Sequence, residues 1–302
     1  MKFVRKVMRK EMHRRTTVQG KTLLQMAVAS ALVASLSPAA AADTTAVTNN
    51  ITRVDGTSVN FNNGVAEVYA EKVQGDLGIN RFTDFSVADK NTANMYFKEQ
   101  GGTTEATNLV NFISNQINIA GTVNALKDNA VGGNLYFVTP KGMVVSGNGV
   151  INAGSLTVAT PGTEYFEKMK LDPTATADTS QQQGQDQQPT TINILSSEVT
   201  TEQLNTFMTN YKGKIDTLEP ATIALNSSGS IAVQGKVNVK TAATLMAGKI
   251  NVGSTGIVRN AMDFSQITNL NSTDETYANN NRLTLSADES GAITLRDRKS
   301  VV

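Results

Sequence analysis

Short aliphatic runs separated by small polar turns are the feature that most limits how this chain can fold. Five of the runs place an asparagine between two aliphatic residues, at 117–119, 151–153, 192–194, 237–239 and 250–252. Such alternation directs the aliphatic side chains to one face of a strand and the asparagine to the other. The runs therefore predict short β-strands with one apolar face.

Glycines recur after these runs and give the pattern a rough period. Gly121 precedes Gly147 by 26 residues, and Gly235 precedes Gly253 by 18. A period near 20 residues is typical of a solenoid in which each coil stacks on the one before. Aromatic residues make up only 5% of the chain, which suits the narrow interior of a β-helix. We predict an all-β, single-stranded parallel β-helix with a small helical excursion, and a β-sandwich is the alternative.

Residues 161–220 interrupt the pattern. The stretch 172–190 is polar and rich in Gln, which predicts a loop. Thr200 and Gln203 have the spacing of a capping box, and apolar residues follow at helical spacing, at Leu204, Phe207, Met208 and Tyr211. They predict a helix whose apolar stripe packs on the solenoid wall or, alternatively, binds a partner. A shorter helix is expected at 163–169, and the solenoid is expected to resume at 222–223.

The amino terminus has the order of an extended signal peptide. Residues 1–21 are basic, 22–36 are apolar and 39–42 are alanines, which predicts cleavage between Ala42 and Asp43. A transmembrane anchor is the alternative, but 15 apolar residues fall short of the ~20 that span a bilayer. We expect residues 1–42 to direct export through the general secretory machinery, and residues 43–302 to form the exported domain.

Missing residue types limit the chemistry of that domain. The chain has no Cys, and its single His is His13, inside the signal. This removes thiolate nucleophiles, imidazole and thiolate metal ligands and Ser-His-Asp triads. The carboxylates are scattered without a repeated spacing, so we predict no catalytic residue, no metal site and no cofactor. Residues 43–302 carry a net charge of −6, which argues against nucleic-acid binding.

Two segments carry a more specific resemblance. The first is 78–87, continued by 94–97, and it contains Asn80, Arg81, Phe82, Asp84, Phe85 and Asn94. The second is 133–145, followed by 149–156, and it contains Asn134, Thr139, Pro140, Lys141, Gly142 and Met143. In this order they resemble the secretion domain of two-partner-secreted exoproteins, the family of filamentous haemagglutinin, large haemolysins and leukotoxin-type filamentous adhesins. The leukotoxin-type adhesins look nearest.

One turn departs from the family's pattern. The family has Asn-Pro-Asn-Gly where this chain has Thr139 and Lys141 in place of the two asparagines. Pro140 presets φ at the second turn position, and Gly142 permits positive φ. We therefore expect the turn geometry to be kept without the two asparagine side chains.

The resemblance implies a fold, a mechanism and partners. It implies a right-handed β-helix that stays unfolded in the periplasm and is recognised, through the twelve residues named above, by an outer-membrane transporter with POTRA domains. The domain would then fold at the cell surface or outside the cell, as the non-enzymatic secretion domain of an adhesin or haemolysin-like exoprotein with an unspecified receptor. We expect the chain to be part of a longer exoprotein, and residues 44–75 to cap the first coil.

Three alternatives remain at the level of sequence. In the first alternative, the aromatic residues of the two segments are core or cap residues instead of transporter contacts. These residues are Phe82, Phe85, Tyr96, Phe97, Tyr136 and Phe137. In the second alternative, the protein is a β-helical polysaccharide lyase or hydrolase, an activity that requires two carboxylates facing each other in a groove. In the third alternative, the protein is a surface or matrix protein without a dedicated transporter.

Overall fold

The computed structural model describes residues 46–162, 165–166, 193–211, 223–260 and 264, together with the backbone of 283–286 and 292–295. The described residues from Val47 onward belong to one compact unit. The predicted signal with its cleavage site at Ala42 and Asp43, and the predicted loop 172–190, lie outside the described residues.

The described part of the chain is mainly β, with 49% of its residues in strands and 7% in helices. The elements described are β1 Asn50–Arg53, β2 Phe61–Asn62, β3 Val65–Tyr69, β4 Lys72–Gln74, β5 Leu77–Val87, β6 Thr92–Tyr96, β7 Asn108–Ile113, β8 Ile117–Ile119, β9 Thr122–Lys127, β10 Ala130–Val131, β11 Asn134–Val138, β12 Gly142–Val145, β13 Val150–Ala153, β14 Ser155–Ala159, α1 Thr201–Tyr211, β15 Ser230–Val233, β16 Lys236–Val239, β17 Ala243–Met246, β18 Lys249–Val252, β19 Ile257–Arg259, β20 Leu283–Ser286 and β21 Ala292–Leu295.

Most strands pair in parallel, in three stacks. The first stack runs from the first half of β5 through β7, β11, β14 and β17 to β20. The second runs from the second half of β5 through β8, β12, β15 and β18 to β21. The third runs from β3 through β6, β9, β13 and β16 to β19. The chain visits the three stacks in this order again and again, which is consistent with the predicted parallel solenoid.

The repeat length differs from the expected value. Paired side chains in successive strands are 31 residues apart for Asn80 and Asn111 and 26 apart for Asn108 and Asn134. The separation falls to 21 for Asn134 and Ser155 and rises to 86 where the excursion intervenes. The prediction of a period near 20 is therefore wrong for the first coils, because their turns are longer than the glycine spacing suggested.

The core lies between the three stacks and is built mainly from aliphatic residues. Its fully buried members include Val123, Ile151 and Val237, which are register neighbours in the third stack. Phe82, Phe85 and Phe137 fill the amino-terminal part of the same core. The aliphatic residues of the 117–119, 151–153, 237–239 and 250–252 runs are buried, as the alternation predicts.

Two antiparallel strands cover the open side of β5. β1 pairs with β5 from Arg53 opposite Phe82 to Asn50 opposite Ser86, with a register irregularity between Thr52 and Arg53. β4 pairs with the start of β5, from Leu77 to Ile79. A free strand edge invites pairing with another chain, so these strands do the capping expected of residues 44–75.

The excursion contains the predicted helix. Thr200 N–H donates to Gln203 Oε1 (2.8 Å), and Gln203 N–H donates to Thr200 Oγ1 (3.2 Å), which forms the capping box. The stripe of Leu204, Phe207, Met208 and Tyr211 is buried. It packs on the outer face of the first stack, where Phe112 lies 6.1 Å from the Phe207 ring and 5.9 Å from the Tyr211 ring.

Two expectations for the excursion are wrong. Asn193 does not lie in a strand: its Oδ1 accepts the Leu195 N–H (2.9 Å), and the chain turns there. The strands do not resume at Ile223 but at Ser230, because Leu225 first bridges back to Pro161 and a turn follows; Thr222 lies outside the described residues. Of the shorter helix expected at 163–169, Tyr165 and Phe166 are the described residues, and both are helical.

Helix α1 has 11 residues. Among the described residues, no helix is both long and apolar enough to cross a lipid bilayer.

Candidate functional site

The first candidate segment lies on β5, mostly with its side chains inside the protein. Asn80, Phe82 and Phe85 are fully buried. The Phe82 and Phe85 rings meet edge to face with 5.6 Å between their centroids. Asp84, which is half-buried, lies opposite Thr52 of β1. In the folded chain these aromatic side chains are core residues.

Arg81 links three parts of the molecule. Its Nε donates to Glu71 Oε1 (3.0 Å), and its Nη2 forms an ion pair with the same carboxylate. Its Nη1 donates to the backbone carbonyls of Ile194 (3.2 Å) and Ser196 (3.1 Å) in the excursion. The guanidinium therefore holds the chain before β5, the strand β5 and the excursion together.

Asn80 is part of a buried hydrogen-bond network. Its Oδ1 accepts from Arg53 Nη1 (3.1 Å) and from the Glu71 N–H (2.9 Å). Its Nδ2 donates to Asn111 Oδ1 (2.9 Å) in the neighbouring strand. A buried amide that satisfies three partners contributes to one specific packing, because any other residue leaves polar groups unpaired.

Asn94 begins an asparagine ladder along the third stack. Asn124 Nδ2 donates to Asn94 Oδ1 (3.1 Å), Asn152 Nδ2 to Asn124 Oδ1 (2.9 Å) and Asn238 Nδ2 to Asn152 Oδ1 (2.9 Å). At the end of the ladder, Arg259 Nε donates to Asn238 Oδ1 (2.8 Å). Asn124, Asn152 and Asn238 are buried, so these asparagines are stacking residues and not exposed surface residues.

The second candidate segment begins on β11 and turns at Pro140. Asn134 Nδ2 donates to Asn108 Oδ1 (2.9 Å), and Ser155 Oγ donates to Asn134 Oδ1 (2.8 Å), which forms a second, shorter ladder. Pro140 is half-buried, and its carbonyl accepts from Asn226 Nδ2 (2.8 Å). The turn is therefore held by the strand on one side and by the returning excursion on the other.

The residues that replace the family's asparagines have defined contacts. Thr139 is fully buried, its Oγ1 donates to the Asn115 carbonyl (2.9 Å), and it accepts the Lys141 N–H (3.2 Å). Lys141 is exposed, and its Nζ donates to Asn115 Oδ1 at 2.7 Å. The threonine hydroxyl closes the turn as an asparagine side chain would.

Gly142 and Met143 complete the segment. Gly142 has a φ of +98°, and a Cβ there would overlap the carbonyl oxygen of Ser230 in the next strand. The positive φ agrees with the expectation that Gly142 permits this conformation in the turn, and the close approach of Ser230 leaves no space for a side chain there. Met143 is fully buried in the main core, in register with Ile117 and Ile231.

The structure brings the two segments together through Asn115. Its Nδ2 donates to Asp84 Oδ1 (2.8 Å), while its Oδ1 and its carbonyl bind Lys141 and Thr139. Phe85 of the first segment and Phe137 of the second meet in the core, 5.4 Å between ring centroids. Sequence reasoning missed Asn115, because a single Asn after a strand carries no signal of contact with residues 31 and 26 positions away.

A groove lies at the amino-terminal end of the described unit, outside both segments. We define the amino-terminal groove by residues of the segment 57–62, which includes β2, and of β3, together with neighbouring residues. Its volume is about 840 Å³. Its polar lining consists of Arg53, Thr57, Ser58, Asn60, Asn62, Glu67, Tyr69, Glu71, Glu99 and Gln100. Sequence reasoning did not identify it, because its residues come from three separate parts of the chain.

Two of the four charged side chains that line the amino-terminal groove, Glu71 and Glu99, are compensated by ion pairs. Glu71 is paired with Arg81, and Glu99 lies 3.2 Å from Lys72 Nζ. Burial lowers the pKa of Arg53, an effect opposed by the neighbouring Glu71. Desolvation raises the pKa of Tyr69, and the carboxylate of Glu67, which accepts its hydroxyl hydrogen bond, raises it further.

Among the described residues, no group of three or more Asp, Glu, His or Cys side chains could hold a metal ion. Comparison of the chain with models of protein families, with curated proteins and with solved structures found no match in any of the three.

Proposed function

We propose that residues 43–302 form a right-handed parallel β-helix and act as the secretion domain of a two-partner-secreted surface adhesin or haemolysin-like exoprotein. An outer-membrane transporter with POTRA domains would recognise the unfolded chain in the periplasm. The domain would then fold outside the cell and provide the surface on which following coils form. The proposal rests on the sequence resemblance of segments 78–97 and 133–156, and on the burial of their candidate side chains in the folded chain.

The burial of the candidate residues is the observation that supports this order of events best. Phe82, Phe85, Thr139 and Met143 are fully buried in the folded chain. A transporter could not contact these side chains after folding. Recognition by these residues therefore has to precede folding, which agrees with a chain that crosses the periplasm unfolded.

The strand order supports folding from the amino terminus. Each strand of the three stacks pairs with the strand one coil earlier, and β1 and β4 cover the first long strand, β5. Parallel stacking of this kind needs only the preceding coil as a template, so folding can advance as the chain emerges.

A polysaccharide-active enzyme has weaker support. The amino-terminal groove contains Glu67, Glu71 and Glu99, but two of the three carboxylates are held in ion pairs with Arg81 and Lys72. Glycoside hydrolysis requires one carboxyl group that donates a proton and a second that acts as nucleophile or base. We therefore place secretion first.

A pair of matched variants separates recognition from folding. Met143→Ala lies in the second segment, and Leu245→Ala lies outside both segments, in β17; both side chains are fully buried in the same core. Each truncation should destabilise the purified chain by about 2–5 kcal/mol. Export of each variant from native cells is then measured by immunoblotting of periplasm, surface and medium.

The proposal expects Met143→Ala to accumulate in the periplasm and Leu245→Ala to be exported at a rate close to that of the unaltered chain. If both variants are exported equally, Met143 has no role in recognition. If both are retained equally, export depends on fold stability and not on the segment, and the proposed mechanism is wrong.

A further inference from the structure

We propose that the amino-terminal groove binds a neutral oligosaccharide, with one sugar ring stacked on the free face of Tyr69. The groove lies outside both candidate recognition segments, so this inference does not depend on the proposed secretion function. It would give the amino-terminal end of the protein a ligand of its own.

The first argument is the geometry of two tyrosines. The rings of Tyr69 and Tyr96, in adjacent strands of the third stack, are 4.7 Å apart and inclined by 12°. Tyr96 therefore covers one face of the Tyr69 ring. Tyr69 lines the amino-terminal groove and Tyr96 does not, so the other face of the Tyr69 ring is the one available there.

The second argument is the chemistry around this ring. A flat aromatic face accepts the apolar C–H face of a pyranose, and the hydroxyl groups at the sugar's rim require donors and acceptors in the same plane. The groove supplies amides at Asn60, Asn62 and Gln100 and hydroxyls at Thr57 and Ser58. Its volume of about 840 Å³ lies in the range of small-molecule sites and is large enough for several sugar rings.

The third argument is charge, which favours a neutral ligand over a cation. Glu71 and Glu99 are neutralised by Arg81 and Lys72. Glu67 has no ion pair among the described residues, but its Oε2 already accepts the Tyr69 hydroxyl at 3.2 Å. Arg53 donates to two neutral acceptors, Asn80 Oδ1 and the Tyr69 carbonyl. The groove therefore offers many neutral hydrogen-bonding groups, and its two charged groups outside ion pairs, Arg53 and Glu67, have opposite signs.

The fourth argument is against the competing ligand, an extended peptide that would pair with β3 as an added strand. β2 pairs with β3 only at Val65 and Ala66. A longer added strand would need the backbone groups beyond Ala66, but the Tyr69 carbonyl there accepts a hydrogen bond from Arg53 Nη2 at 2.8 Å. The guanidinium of the half-buried Arg53 thus occupies a backbone group that peptide addition would use.

The test is isothermal titration calorimetry of the purified full chain with maltohexaose, cellohexaose and chitohexaose, and with hexalysine as a cationic peptide probe. We expect saturable binding of at least one hexasaccharide and none of hexalysine. Tyr69→Ala should lower the affinity by about tenfold, the value of a lost aromatic contact. Tyr69→Phe should retain the affinity, because the hydroxyl is bound to Glu67 and not to the ligand.

Tyr136→Ala is the matched control, because Tyr136 is a half-buried tyrosine of β11 that does not line the groove. It should leave hexasaccharide affinity unchanged, and thermal unfolding of each variant checks that the fold is retained. The proposal is overturned if no hexasaccharide binds, if Tyr69→Ala and Tyr136→Ala weaken binding equally, or if hexalysine binds in preference. Secretion assays are unaffected by these outcomes, so the two proposals can fail separately.

Discussion

Replacing Asn124 by alanine tests whether the asparagine ladder stabilises the third stack. Asn124 Nδ2 donates to Asn94 Oδ1 (3.1 Å), and its Oδ1 accepts from Asn152 Nδ2 (2.9 Å). Asn152 is fully buried, so its amide cannot turn to water when this acceptor is lost. Loss of one hydrogen bond by a buried donor costs about 1–3 kcal/mol, and a lost bond at the half-buried Asn94 costs about 1 kcal/mol. We expect Asn124→Ala to reduce the free energy of unfolding by about 2–4 kcal/mol.

Asn118→Ala is the matched control for this substitution. Asn118 occupies the same position between two aliphatic residues, in β8. Its register neighbours are Ser86 and Val144, and its Nδ2 donates only a long bond, 3.3 Å, to the Gln116 carbonyl. Because no ladder passes through this position, we expect a loss below about 1 kcal/mol.

Urea unfolding followed by far-ultraviolet circular dichroism measures both variants. The comparison holds if the slope of the unfolding free energy against urea concentration is unchanged, because a changed slope indicates a different unfolded or native state. Equal losses for Asn124→Ala and Asn118→Ala would refute the reasoning, since they would show that the ladder hydrogen bonds contribute nothing beyond an isolated asparagine.

Two further predictions concern the turn and the excursion. Gly142→Ala should destabilise the fold strongly, because φ is +98° and the new Cβ would overlap the Ser230 carbonyl, whereas Gly147→Ala, with open space around its Cβ, should have little effect; thermal unfolding of both variants checks this. Burial raises the pKa of Tyr165 and of Tyr211, whose hydroxyls are 3.1 Å apart, above the ordinary value near 10. The folded chain therefore binds these protons more tightly than the unfolded chain, and stability that is fully present below about pH 10 should be lost as the pH rises further. In urea titrations at pH 9 and pH 11, the double variant Tyr165→Phe, Tyr211→Phe should lose less unfolding free energy between the two pH values than the unaltered chain does. An equal loss would contradict the assignment of this pH dependence to the two tyrosines.

The alternating pattern was a sound guide to the strands, because alternation depends only on neighbouring residues. Four of the five aliphatic-asparagine runs are strands with buried aliphatic side chains. The fifth run, at 192–194, has the same local pattern, but its described residues Asn193 and Ile194 lie in the excursion and are not in a strand. Asn193 there closes a turn instead. Whether such a run forms a strand depends on a neighbouring strand that pairs with it, and the local sequence does not show whether one is present.

The register of the ladder, and the burial of its asparagines, could not be predicted. Asn124 and Asn152 are 28 residues apart, whereas Asn152 and Asn238 are 86 apart because the excursion intervenes. The irregular spacing hides the register, and Asn118 and Asn251, which fit the same pattern, are in no ladder of the described residues. Asn251 Oδ1 is buried without a hydrogen-bond partner.

The helix of the excursion was predictable because its signals are local. The capping box at Thr200 and Gln203 fixes its start, and the apolar stripe fixes the face that packs on the first stack. By contrast, the contacts of Arg81 with Ile194 and Ser196 bridge 113 and 115 residues. Such distant contacts, and the amino-terminal groove formed by separate segments, require knowledge of the coil register.

The most direct test of the central claim is where the domain resides in native cells. An antibody against residues 43–302 is used to probe intact cells and culture medium before and after protease treatment, alongside a periplasmic marker protein. The account predicts that the domain is found in the medium or is cleaved on intact cells while the periplasmic marker remains protected. A domain that stays protected until the outer membrane is opened would contradict export by a two-partner transporter.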